Sequence, residues 1–428
     1  MGSSKDETGR GRFLHCLLGG LCFNLVLTLM YESLAVLAIF ACAFSIIAGK
    51  IEHGRVSGPI LFCLFGVLMG PQVLNYFPMA RDVEAIKILA ELTLALVLFS
   101  DAASANLREL KKNAKIPIRL LAIGLPLTLA LGYGVGFVLF DGVSLLEIAL
   151  LAVILAPTDA ALGKPVVANK KVPVEYREGL NVESGLNDGI CVPLLLILLE
   201  LATDEAGSHP SGMGMIFSHF ASEIGIGVAV GVGLVLLTIT LGNFSKRRGW
   251  IVKDWAMTAT ITLALACFAL AQSIGGSGFI AAFVGGLTMN QVLGKKAHAW
   301  LQESESAGDL LSLVTWVAFG ALAIKLNAEA FDWKIILYGL LSLTIIRMLP
   351  VFLSLLGLGI HLESKLFIGW FGPRGLASVV FCVMVLDTEL PHKELIAHVV
   401  VTTILLSILL HGITANAWAN RFIHQTQD

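Results

Sequence analysis

The chain has 428 residues, of which 56% are hydrophobic and only 14% charged, against roughly 25% charged in an ordinary soluble domain. That composition excludes a water-soluble globular protein. The formal net charge of −2 excludes a general electrostatic attraction to nucleic acid or acidic partners.

Residues 1–30 begin polar and basic, with Lys5, Arg10 and Arg12, and run on through an apolar stretch from Phe13 to Met30. They are expected to form an N-terminal extension or an extra helix, with Met30 as an alternative initiator. Beyond them the apolar residues fall in blocks that each suit a helix crossing a hydrocarbon core, which takes about 20 residues. Gly, Pro and charge clusters divide these blocks into thirteen predicted spans. They are 33–48, 59–77, 83–101, 117–140, 145–162, 183–201, 216–241, 255–273, 278–292, 310–326, 335–358, 366–387 and 395–418. The fold class is therefore an all-α polytopic membrane protein. The seven cysteines all lie in apolar blocks without a metal-ligand spacing, which reads as packing.

Loops after the odd-numbered spans, together with the C-terminus, hold 18 Lys and Arg, and loops after the even-numbered spans hold three. Because cytoplasmic loops retain basic residues, the first span is expected to start outside and the C-terminus to lie inside. The short tail 421–428 leaves no room for a regulatory domain, so the sequence reads as a bare membrane module.

An ionisable residue at mid-bilayer costs about 2.5–3.5 kcal/mol on insertion scales, so each one inside a span needs a partner, water or a function. Glu91 in the third span is a lone acid without an assigned role. The fifth span ends Ala156-Pro157-Thr158-Asp159-Ala160-Ala161-Leu162. Pro157 should break the helix and free carbonyls, which with Thr158 and Asp159 are the hard oxygen donors that hard cations prefer. The alternative is a structural kink with a capping Asp.

The sixth span opens Glu183-Ser184-Gly185-Leu186-Asn187-Asp188-Gly189. Helical geometry puts Glu183 and Asn187 on one face and Asp188 about 100° round from Asn187. The alternative is a polar helix start in the membrane interface. In the eleventh span Arg347, always charged, demands a carboxylate, and Glu183 is the natural candidate. Asp188 would then lack a fixed counter-charge and could hold a proton or a cation by turns. The twelfth span carries Gly369-Trp370-Phe371-Gly372-Pro373-Arg374-Gly375, a second Gly/Pro interruption. Its offset of seven spans from the first implies inverted repeats with paired broken helices, the sequence pointer to a transporter site near the midplane. His398 and His411 read as structural groups.

Pro157-Thr158-Asp159, Glu183-Ser184 with Asn187-Asp188-Gly189, and Gly372-Pro373-Arg374-Gly375 together resemble Na+/H+ antiporters of the monovalent cation:proton antiporter-1 family. The resemblance covers about residues 30–420. It implies a thirteen-span homodimer with two crossing broken helices and an elevator-like mechanism. Spans 1–3 and 7–10 of 31–420 would form the dimerisation scaffold, and spans 4–6 and 11–13 the ion-carrying core. It implies further that Asp188 is the carrier carboxylate and that Asp159, Thr158 and Ser184 complete the Na+ site. Glu183 and Arg347 would form an ion pair beside it, and Arg374 would offset helix-end charges. Asn187 stands where electrogenic relatives have a second Asp, which implies electroneutral one-for-one exchange. Ala160 and Ala161 depart from the family pattern after Asp159, which bears on cation selectivity.

The expected activity is thus secondary antiport of Na+ or Li+ against H+ in the cell membrane. It needs no cofactor, no nucleic-acid partner and no enzymatic chemistry, and lipid is the surrounding partner. K+/H+ exchange is the near alternative and a passive cation channel a further one. From another class, Gly275-Gly276-Ser277-Gly278 matches the nucleophile motif of rhomboid intramembrane proteases, with Ser277 as nucleophile and His298 or His411 as base.

Overall fold

A computed structural model describes residues 31–51, 57–77, 83–105, 115–159, 162, 172–205, 213–250, 252–294, 297–327 and 332–419. The expected N-terminal extension, the tail 421–428, Ala160, Ala161 and many of the basic loop residues lie outside the described residues.

All regular structure among the described residues is helical. In chain order the elements are α1 (Tyr31–Ile51), α2 (Gly58–Met69), α3 (Val83–Ser104), α4 (Lys115–Leu139), α5 (Leu145–Ile154), α6 (Val174–Glu205) and α7 (Met213–Arg247). They continue with α8 (Lys253–Ser273), α9 (Gly278–Leu293), α10 (Ala297–Asn327), α11 (Trp333–Ser354), α12 (Leu362–Trp370), α13 (Leu376–Leu386) and α14 (Lys393–Ala419). Seven of them, α1, α4, α6, α7, α10, α11 and α14, are long and apolar enough to cross a membrane, and five shorter apolar helices accompany them.

The boundaries depart from hydropathy where local chemistry decides them. The second span stops at Met69 because Gly70 leaves helical conformation ahead of Pro71. In α4, residues Leu120–Gly124 form a π-turn just before Pro126, a geometry that accommodates the donor that proline lacks. A capping box starts α5: Ser144 Oγ accepts the Leu146 N–H and Glu147 reaches back to the Ser144 N–H. Helix α6 begins at Val174, nine residues before Glu183, so the polar motif lies within the helix and the reading of a polar helix start does not hold. Helix α10 likewise begins thirteen residues before the expected span, and α11 is interrupted at Thr344.

Most helix contacts fall within two groups. The first comprises α2, α3 and α7 to α10, and the second α4 to α6 and α11 to α14. The groups meet chiefly where α3 packs on α13 and α6, and where α10 packs on α14. Inside the first group, α2 and α10 cross at backbone contact: a Cβ at Gly66 would collide with the Val317 carbonyl, and one at Gly320 with that of Cys63. Close approach of this kind is how helices associate where lipid removes the hydrophobic drive.

Gly66→Leu should therefore lower the unfolding temperature in detergent, overpacking costing about 1–3 kcal/mol. Gly134→Leu, where an added Cβ meets nothing within 4 Å, should leave it unchanged. Tryptophan-fluorescence melting of the two variants checks this.

Candidate functional site

Two unwound segments lie against each other in the second group. The chain leaves the helix after α5 and is non-helical to Asp159, and it is non-helical again over 371–375 between α12 and α13. The Asp159 N–H donates to the Pro373 carbonyl at 2.8 Å, joining the two. Each backbone group freed by the unwinding needs a partner.

The carbonyls at the end of α5 find theirs within the protein. Ile154 accepts from Ser378 Oγ at 2.7 Å, Ala156 and Pro157 accept from Arg374 Nη1 at 2.6 and 3.3 Å, and Thr158 accepts from Ser184 Oγ. These carbonyls, expected from sequence to be cation ligands, already have protein donors. Arg374, fully buried, also donates Nη2 to the Ser342 carbonyl at 3.3 Å. A cation thus faces the negative end of α5.

At the opposite strand of the crossing, Asp159 Oδ2 accepts the Leu376 N–H of α13 at 2.9 Å, and Oδ1 accepts from Leu162 at 3.3 Å. Asp159 is thereby the N-terminal cap of α13, supplied by the other unwound segment. The glycines permit the approach. A Cβ at Gly375 would fall on the Asp159 carboxyl, and one at Gly372 on the Arg347 guanidinium.

Helix α6 brings the remaining residues to this crossing. Asn187 Nδ2 donates to Thr158 Oγ1 at 2.7 Å. Arg347, three residues beyond the Thr344 interruption, donates Nη1 and Nη2 to the two oxygens of Glu183 at 2.6 and 2.7 Å, both residues 2% exposed. This is the bidentate geometry that guanidinium and carboxylate planes favour. Asp188 is different. It is 93% buried, and its Oδ1 has no hydrogen-bond partner among the described residues.

Asp188 lines a cavity of about 110 Å³ together with Asp159, Asp101, Ser100 and Trp316, with the exposed Glu305 and Asp309 at its rim. Sequence reasoning missed three of these acids. Asp101 ends the predicted third span, but α3 continues to Ser104, and a Cβ at Gly185 would come within 3.2 Å of the Asp101 Cβ. So α3 and α6 touch one turn from Asp188. The signal was present: Ser100-Asp101 interrupts an unbroken apolar run. Glu305 and Asp309 fall between the expected ninth and tenth spans, whereas in α10 their i,i+4 spacing puts them on one helix face.

Other candidates resolve differently. Ser277 caps α9, its Oγ accepting the Ile280 N–H at 3.4 Å, a structural role that leaves the protease reading unsupported. His411 is bound to the carbonyls of Trp370 and Ser407, both at 2.9 Å, and so is not a base for Ser277. The His298 side chain lies outside the described residues. His398 is half-buried. Among the described residues no group of three or more His, Cys, Asp or Glu converges as a resident metal site.

A sequence profile of the family described as "Sodium/hydrogen exchanger, transmembrane" matches residues 34–421. A Na(+)/H(+) antiporter of Saccharomyces cerevisiae is 24% identical over 373 residues, covering 82% of this chain and 37% of the relative. A K(+)/H(+) antiporter NhaP2 of Shewanella oneidensis is 24% identical over 370 residues, covering 84% and 62%. The chain thus spans less than two thirds of the length of these curated relatives. The solved structure of the sodium proton antiporter MjNhaP1 from Methanocaldococcus jannaschii superposes with a TM-score of 0.71 at 20% identity, over 91% of this chain and 100% of that one. The fold is shared with that protein.

Glu183→Gln should destabilise the protein by about 3–5 kcal/mol, because it leaves Arg347 charged, buried and uncompensated. Replacing both partners, Glu183→Leu with Arg347→Met, should recover most of that loss. Thermal denaturation of the purified variants checks both, and a single variant as stable as the parent would argue against the pair.

Proposed function

The chain belongs to the sodium/hydrogen exchanger family, and from that premise we propose that it exchanges Na+ or Li+ for H+, one for one, with both ions competing for Asp188. The family and fold are those of antiporters rather than enzymes. The observation that carries the reading is the buried Asp188 Oδ1, left without a partner on a cavity rimmed by exposed acids. Where the unwound segments meet, Glu183 is answered by Arg347, Arg374 by carbonyls and Asp159 by two backbone N–H groups, while Asp101 adds a further carboxylate to the cavity wall.

A carboxylate so placed is neutralised either by a proton or by an alkali cation. The neutralised form crosses a low-dielectric barrier cheaply and the bare one does not. Competition for a single seat is then the coupling. Asp159 lines the same cavity, and in this reading it and the oxygens of Thr158 and Ser184, now engaged with α6 and each other, would exchange those bonds to complete a cation's shell. Asn187 is an amide engaged with Thr158, which supports a single exchanging carboxylate and electroneutral stoichiometry.

Asp101 lies near the C-terminal end of α3, and Glu305 and Asp309 in the first half of α10, so in this reading the cavity faces the side of the loop after the third span, one of the loops rich in Lys and Arg. The positive-inside rule makes that side cytoplasmic. In this reading the second helix group, carrying Asp188 and Asp159, moves against the first, and the first supplies the contact of a homodimer in the cell membrane. K+/H+ exchange is the second reading, favoured by the relatives of Shewanella named K(+)/H(+) antiporters.

In reconstituted vesicles, Asp188→Asn should reduce cation-driven proton flux to that of empty vesicles. A variant that exchanges normally would refute the single seat. Parallel titrations with Na+, Li+ and K+ separate the two readings, and clamping the potential with potassium and valinomycin should leave an electroneutral rate unchanged. Asp101→Asn should raise the half-saturating cation concentration about three- to tenfold when the cation is supplied on the cavity side, through loss of one attracting charge.

A further inference from the structure

Helix α3 carries functional charge at both ends. Asp101 stands at the cavity end. Fourteen residues earlier, about 21 Å along the axis at 1.5 Å per residue, Lys87 forms an ion pair with Asp387. Asp387 is the residue on which α13 ends. The pair therefore joins the first helix group to the second, at the end of α3 remote from the cavity. Both side chains are partly exposed, at 29% and 52%.

One turn along α3 from Lys87 lies Glu91, the acid left without a role by sequence reasoning. It is half-buried and within electrostatic reach of both Lys87 and Asp387, and Glu84 flanks Lys87 from the preceding turn. Lys87 thus sits among acids of two kinds. Asp387 belongs to the other helix group, whereas Glu91 sits at i+4 on its own helix and stays with it.

The opposite end of α13 is tied to the cation site, where the Leu376 N–H meets Asp159. A displacement that carries Asp159 and Asp188 away from the open cavity must carry Asp387 away from Lys87. We propose that Lys87 is a two-partner latch, bonded to Asp387 while the cavity at the far end is open and handed to Glu91 when α13 moves. This rests on the alternating-access reading above and adds to it which contact closes the remote end.

The handover has a physical use. An ion pair pulled apart with no replacement leaves two charges to be solvated within a helix interface, whereas a lysine with an acid at i+4 has a partner that needs no further movement. The two end states then differ little in energy, as a carrier that visits both requires. Without Lys87, Glu91 and Asp387 are like charges facing each other across the groups.

The test fixes the distance between the groups. Lysine is longer than cysteine and a disulfide requires Cα atoms within about 7 Å, so the reagent is a short bifunctional methanethiosulfonate. It is applied to the full-length Lys87→Cys/Asp387→Cys protein in a cysteine-free background, reconstituted in vesicles. Exchange before linking reports the antiport itself; the change on linking reports whether these two positions must separate, as the latch requires. Linking should abolish exchange and reductant should restore it, and linked protein exchanging at the unlinked rate overturns the proposal. A second readout does not depend on the cysteines. Glu91→Gln should slow maximal exchange about two- to fivefold, the scale of a half-exposed ion pair, and should have no further effect in a Lys87→Met background. Equal slowing in both backgrounds overturns the handover.

Discussion

A backbone that leaves the helix inside a membrane must find other partners for its polar groups, because lipid offers none. Here two such segments meet, 155–159 and 371–375, and the rest of the site follows from how they satisfy one another. A direct backbone bond joins Asp159 to Pro373, Arg374 from one segment covers the carbonyls of the other, and Asp159 returns to cap α13. Each segment is thus the other's helix cap. Glycine is required where they pass, since a side chain at 372 or 375 would occupy the space of Arg347 or Asp159.

That arrangement also organises the charge. Bringing a helix end into the interior exposes its partial charge, and a buried guanidinium answers it. Glu183 and Arg347 neutralise each other in bidentate geometry. The hydroxyls and the amide of Thr158, Ser184 and Asn187 hold α6 to the unwound segment. What remains is Asp188, with one oxygen facing a cavity and no fixed neighbour to answer it among the described residues. The structural charges are thus paired within the protein, apart from the one that faces the cavity.

Helix α3 connects this site to the remainder of the molecule. It packs on α9 and α10 on one side and on α13 and α6 on the other. Asp101 faces the cavity from it, and Lys87 holds Asp387 at its other end. The same helix therefore borders both the acid-lined cavity and the contact opposite. Movement of α13 and α6 along it would alter the two ends in opposite senses.

The helical membrane architecture and the three motifs are legible in the amino-acid order alone, because hydropathy, proline and glycine act locally and are readable one segment at a time. That order placed the breaks near Pro157 and Pro373 and marked Asp188, Glu183 and Arg347 as charges that needed an explanation. It could not place the start of α6 or α10, since a helix whose first turns are polar shows no hydropathy edge. Nor could it find the acids Asp101, Glu305 and Asp309 as one group, turn the freed carbonyls toward Arg374, or pair Lys87 with a residue 300 positions away. Those depend on which face each helix turns to its neighbours. That orientation is decided by packing between segments remote in the chain, which only the tertiary structure fixes.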